Sequence, residues 1–167
     1  MDYAAAYTQM HEANQKAFAG FSIKNYVDDI AKLVYATGAQ SLLDYGSGKG
    51  YQYLAKRVHE QWGGILPTCY DVGVRQLSDR PVGTFDGVIC TDVMEHIDEP
   101  DVDRILADIF SFAEKFVFLC ISCRPAKKKM LPDGRNVHLT VRSPEWWNRK
   151  ISALKHGDLV VQVAYDE

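Results

Sequence analysis

The chain has 167 residues, 47% of them hydrophobic, with 19 Lys and Arg against 22 Asp and Glu. That length fits a single domain over 1–167 with a core closed on two sides. No run of about 18 apolar residues offers a membrane span, and Met1-Asp2-Tyr3-Ala4 lacks the basic-then-apolar pattern of a secretory signal, so the expectation is a cytoplasmic protein with no membrane partner.

Residues 1–38 are expected to form two helices. The first twenty are Ala-rich, with Tyr3, Tyr7, Met10, Asn14 and Phe18 at helical spacing, and end at Gly20. Ser22 is the expected cap of the second helix. Its stripe is Ile23, Tyr26, Val27, Ile30, Leu33 and Val34, with Gly38 as its stop. A strand over 41–46 then runs into a glycine turn, a helix from about 49 to about 62 and a second strand over 65–71, which makes a βαβ unit.

After a turn-rich stretch, residues 85–92 read as a buried strand, followed by a helix over 100–113 and a strand over 116–122. Residues 124–142, with Pro125, Pro132 and Asp133-Gly134, form a long loop of the kind used as a lid or binding loop. Ser143-Pro144 opens a last helix as N-cap and first-turn proline, with Trp146, Trp147 and Ile151 or Leu154 available to pack. One strand over 159–164 closes the chain. The order fits an α/β, doubly wound, mostly parallel Rossmann-like sheet. Cys69, Cys90 and Cys120 fall inside strand runs and are expected as core packing. The odd offset of Cys120 and Cys123 sends them to opposite faces, against a redox or chelating pair.

The most specific stretch is Leu42-Leu43-Asp44-Tyr45-Gly46-Ser47-Gly48-Lys49-Gly50. Glycines at 46, 48 and 50 let the backbone take positive φ and approach a ligand where a Cβ would collide with it. The helix that follows points its N-terminal amides at the same spot. A nicotinamide fingerprint needs its third glycine where Tyr51 stands, so the spacing disfavours NAD. The D-x-G-x-G-x-G pattern resembles motif I of the class I S-adenosylmethionine (SAM) methyltransferases. That resemblance implies SAM as cofactor, with Asp44 helping to hold its methionine amino group and Gly46, Ser47, Gly48 and Gly50 forming the cofactor turn.

Asp71 ends the second strand, 21 residues beyond Gly50, where an acid can accept both ribose hydroxyls. Asp92-Val93-Met94-Glu95-His96-Ile97 follows the next strand, and the resemblance then covers about 40–165. It points to small class I enzymes with a D-V-L/M-E-H-I signature, the ubiquinone-type O-methyltransferases among them, and adds Asp92 to the cofactor residues. The chain departs from that pattern over 72–84, which holds too few residues for a helix and a third strand. Asp79 in that loop is a weak adenine candidate. The final strand of the family's antiparallel pair is also missing, which leaves an exposed sheet edge or a second copy to cover it.

A sulfonium methyl is already activated, so orientation and desolvation do most of the work. A hydroxyl acceptor still has to lose its proton to a base or near a metal. His96, Glu95 and His138 are the expected catalytic residues, without a metal. The alternative is a metal held by Asp92, Glu95, His96 and His138, because D-x-x-E-H with a distant histidine partly matches the E-x-x-E-H…H arrangement of small-RNA 3′-terminal 2′-O-methyltransferases.

Net charge conceals an asymmetry: residues 124–155 carry nine of the basic and two of the acidic side chains. Arg124, Lys128, Arg135 and His138 are the expected contacts of a small anionic acceptor under a closing lid over 124–142. DNA is disfavoured, since Thr91-Asp92-Val93-Met94 offers neither the proline nor the aromatic of an N-P-P-Y motif. The expectation is methyl transfer to an oxygen of a small acceptor. The rivals are a metal-dependent RNA 2′-O-methyltransferase and a SAM-binding subunit without catalysis.

Overall fold

The computed structural model describes residues 7–9, 21–127, 130–131, 133–155 and 157–167. Residues 7–9 are helical; the rest of the helix expected over 1–20 lies outside the described residues.

Helix α1 spans Val27–Thr37 and buries Ile30, Leu33 and Val34 from one face. Gly38 ends it in the left-handed region at φ 61, where its amide bonds the Val34 carbonyl, as a glycine after a helix commonly does. Ser22 is not its cap. Residues Ser22–Asn25 form a separate 3-10 turn that buries Ile23, and the Tyr26 amide closes that turn on the Ile23 carbonyl at 2.8 Å. The helix therefore starts only at Val27.

Five strands follow: β1 (Leu42–Tyr45), β2 (Thr68–Tyr70), β3 (Phe85–Thr91), β4 (Ala113–Ser122) and β5 (Val160–Asp166). They form one all-parallel sheet in the order β2-β1-β3-β4-β5. Chain order runs outward from β1 in both directions, so a crevice opens at the carboxyl ends of β1 and β3, where doubly wound sheets bind ligands.

Side-chain alternation covers both faces. Phe116, Phe118 and Cys120 of β4 pack with Ile30, Leu33, Leu42, Ile89 and Trp62, while Val117, Leu119 and Ile121 pack with Leu43, Val88, Leu106, Ile109 and Trp147. The second set is covered by α3 (Val102–Ser111) and α4 (Pro144–Ser152). Each such side chain, once fully buried, contributes about 1.5–3 kcal/mol. The cysteines are unbridged, and Cys120 and Cys123 belong to opposite faces as expected.

One further element differs from expectation. The helix after the glycine turn is α2, only Tyr51–Ala55, and it stops before Arg57, which sits at φ 49. The break lets a 3-10 turn, Val58–Trp62, bury Val58 and Trp62 beneath α1. Residues 72–84 hold a 3-10 turn, Arg75–Leu77, and no strand; β2 is accordingly an outer strand. At the other end β5 runs parallel to β4 over 160–166, and no antiparallel strand joins it among the described residues. No helix among the described residues is long and apolar enough to cross a membrane.

Candidate functional site

The glycine turn is anchored from β2. The amides of Gly46 and Ser47 both donate to the Tyr70 carbonyl, at 2.7 and 3.1 Å. Gly46, Gly48 and Gly50 take φ values of 79, 55 and 63, a region that favours glycine. A Cβ on Gly46 would overlap Cγ2 of Val93, and one on Gly50 would lie 3.3 Å from Sγ of Cys69. At these two positions the space is filled by the protein's own side chains, so the bare glycine serves close packing of the β1 and β3 turns. The amides expected from the following helix come from only one turn of α2.

Asp71 stitches this turn to the next one. Its Oδ2 accepts the Gly48 amide at 2.8 Å and its Oδ1 accepts the Gly73 amide at 2.8 Å. Asp44 is 1% exposed. Its Oδ2 accepts the Tyr53 hydroxyl at 2.8 Å and the Gln52 side-chain amide at 3.3 Å, whereas Oδ1 has no hydrogen-bond partner among the described residues. Burial pushes its carboxyl up to about 7; the Tyr53 and Gln52 hydrogen bonds oppose that rise and the nearby Asp71 adds to it. Ser47 is buried, with its hydroxyl 3.2 Å from the Gly48 carbonyl.

The second half of the crevice lies past β3. Asp92 turns the chain with φ 56, a left-handed conformation that is costly for a residue with a side chain. Its amide bonds the Cys120 carbonyl at 3.0 Å, and its Oδ1 lies 3.5 Å from the Cys120 thiol, which also reaches the Tyr26 hydroxyl at 3.1 Å. The 3-10 turn Met94–His96 then buries Glu95 and His96.

Glu95, His96 and His138 present ligand-type atoms within 4.8 Å of one another. Among the described residues, neither Glu95 oxygen has a hydrogen-bond partner in good geometry. Burial, then the Asp92 charge, raises its carboxyl to about 8, against weaker pulls from the backbone at Glu95 and Ser122. His96 Nδ1 is 2.9 Å from the Val137 carbonyl, and His138 Nδ1 is 2.6 Å from the Arg124 carbonyl. A carbonyl only accepts, so each Nδ1 carries a proton, and in the neutral ring Nε2 then holds the lone pair. The two rings meet edge to face at 4.9 Å. Asp92 is not part of this cluster.

The basic segment is packed down and ion-paired. Arg124 pairs with Asp166, Arg135 with Asp98 and Asp133, Arg142 with Glu99, and Lys150 with Asp103. Leu131, Val137 and Thr140 of the expected lid are buried, and Thr140 donates its amide to the Glu95 carbonyl at 3.0 Å. Lys128 lies outside the described residues, and Asp79 is exposed.

Several participants carried no signal in the motifs. Tyr53 and Gln52 hold Asp44, Val137 and Arg124 orient the two histidines through their carbonyls, and Tyr7 packs edge-on against His96 with ring centroids 5.8 Å apart. The first two sit nine and eight residues past Asp44, in the first turn of the following helix, which is the available clue. Compared with known protein families, the chain matches no family model, and no curated protein matches it.

Proposed function

We propose that the protein is a SAM-dependent methyltransferase acting on an oxygen of a small acceptor at the carboxyl edge of β3 and β4. The observation that supports it is the buried Asp44 carboxyl beneath the glycine turn, with an Oδ1 that no donor among the described residues satisfies. An unsatisfied buried acceptor suits a ligand that brings a cationic donor. SAM, when bound, supplies a methyl group already activated on a sulfonium. Asp44 would accept from the methionine ammonium, and the Asp71 carboxylate from the ribose hydroxyls. The adenine end would rest on the 72–84 loop.

The acceptor side falls to Glu95, His96 and His138. With Nδ1 protonated against Val137, His96 has a basic Nε2 suited to take a hydroxyl proton. An anionic acceptor would reach it past Arg124 and Arg135, exchanging for itself the carboxylates those side chains now hold. The test is calorimetry with S-adenosylhomocysteine (SAH). Wild type should bind, and Asp71→Ala and Gly48→Val should bind more weakly. Unchanged affinity in both variants overturns the cofactor assignment, and SAH binding without turnover on any acceptor pool favours a non-catalytic subunit.

A second reading has its own observation, the convergence of Glu95, His96 and His138. Backbone carbonyls on both Nδ1 atoms and an unpartnered buried carboxylate suit a divalent cation. These three residues would hold it, with Asp92 outside the set, and the ion would supply Lewis acidity toward an acceptor hydroxyl such as an RNA 2′-OH. Binding of Mn²⁺ or Zn²⁺ to wild type, lost in Glu95→Gln and His138→Ala, supports it. Activity on an RNA 3′ end that survives a chelator excludes it.

A further inference from the structure

Asp44 is the penultimate residue of β1, with almost no water contact, and its two oxygens are unequally served. Among the described residues, Oδ2 has the Tyr53 and Gln52 donors and Oδ1 has none. The groups acting on it are Tyr53 and Gln52 from α2, Cys69 and Asp71 from the end of β2, and Cys90 from β3. None of these is a cation. A carboxylate so placed has lost its hydration without gaining a counter-charge, and the protonated acid is the favoured form.

Resting on the cofactor reading above, we propose that Asp44 is a neutral acid in the ligand-free protein and loses its proton when the ligand's ammonium group docks, so that cofactor binding releases a proton and weakens on acidification. The balance is simple. The Asp44 O–H bond breaks, the proton leaves to solvent, and the carboxylate accepts a hydrogen bond from an ammonium that keeps its three protons. Burial holds the ligand-free carboxyl near 7, and the added cation lowers it. Below that pH the proton must be expelled before the pair can form. Affinity is then expected to fall about tenfold for each pH unit on the acid side, and to level off above it.

The experiment is calorimetry of SAH binding to the full chain at pH 6 in two buffers of different ionisation enthalpy, with affinities followed from pH 5.5 to 7.5. The expected result is an apparent enthalpy that differs between the buffers by about one proton's worth, with affinity rising toward neutral pH. Asp44→Asn keeps the size and a carbonyl acceptor for Tyr53, and it should bind with heats that do not depend on the buffer. Equal heats in wild type, or a buffer difference that persists in Asp44→Asn, overturn the proposal while leaving the cofactor reading intact. Absence of SAH binding even at pH 7.5 overturns both. The wild-type comparison decides the matter if the variant does not fold.

Discussion

Val93 stands where a side chain on Gly46 would have to be: its Cγ2 fills the site of a Cβ there, and Gly46 itself holds φ 79. The turns after β1 and β3 are thus interlocked across the crevice. Gly46→Ala is expected to cost about 1–2 kcal/mol for the left-handed backbone and about 1–3 kcal/mol more for the overlap. Val93→Ala removes the overlapping methyl, so urea denaturation of the two single variants and the double should show a favourable coupling of about 1–3 kcal/mol. A coupling near zero would mean that the backbone conformation alone requires glycine.

Asp71 couples structure to affinity, because each of its oxygens already accepts a backbone amide. Asp71→Ala should weaken the ligand-free protein by an upper range of about 1.5–3 kcal/mol per bond to a charged acceptor, before any loss of ligand contacts. Asp71→Asn keeps one acceptor and should fall between. Thermal melts without ligand, set beside SAH calorimetry, separate the two effects. A variant that melts like wild type yet binds SAH poorly would make Asp71 a ligand contact with little structural role.

The sheet was legible because every strand is a short apolar run between turn residues, as in Val88-Ile89-Cys90 and Phe116 to Ile121. The end of α2 was not. Nothing in Lys56-Arg57 marks a left-handed residue, and the break follows from burying Val58 and Trp62 under α1, a tertiary demand that overrides local preference. Glu95, His96 and His138 were readable as residue types. Their meeting depends on Val137 and Thr140 being buried in a loop whose composition looks like surface. The charge surplus of 124–155 was equally plain, but its partners Asp98, Glu99, Asp103 and Asp166 lie outside that segment, and only the fold brings them opposite Arg135, Arg142, Lys150 and Arg124.

Asp44 also sets a pH dependence of stability in the absence of ligand. Its carboxyl is raised from 3.8 to about 7, so the folded state favours the protonated form. The contribution is complete below about pH 4 and is lost as pH rises through 7. Roughly three units correspond to up to about 4 kcal/mol. Ligand-free Asp44→Asn is therefore expected to be more stable than wild type at pH 7.5 and to lose that advantage by pH 4. Parallel denaturant titrations at the two pH values check it; an advantage of equal size at both would assign the effect to packing.

The loop over 124–142 is held by its buried residues more than by its charges. Thr140 donates its amide to the Glu95 carbonyl at 3.0 Å and its hydroxyl to the Ile97 carbonyl at 2.7 Å. Leu131 bonds back to Arg135 at 2.8 Å, and the Asn136 side chain brackets both backbone groups of Ala126. By contrast, the arginine side chains of the Arg135–Asp98 and Arg142–Glu99 pairs are 44% and 49% exposed, and pairs in that setting contribute about 0–1 kcal/mol and weaken in salt. Arg135→Ala and Arg142→Ala should each change stability little, whereas Val137→Ala should cost about 1–3 kcal/mol. Amide exchange provides the sharper measurement. The Thr140 amide should be protected in wild type and in both arginine variants, at low salt and at high, and should exchange faster in Val137→Ala. Protection that collapses in Arg135→Ala or at high ionic strength, with Val137→Ala unaffected, would show that electrostatics hold this loop over Glu95 and that it can open to admit a charged acceptor.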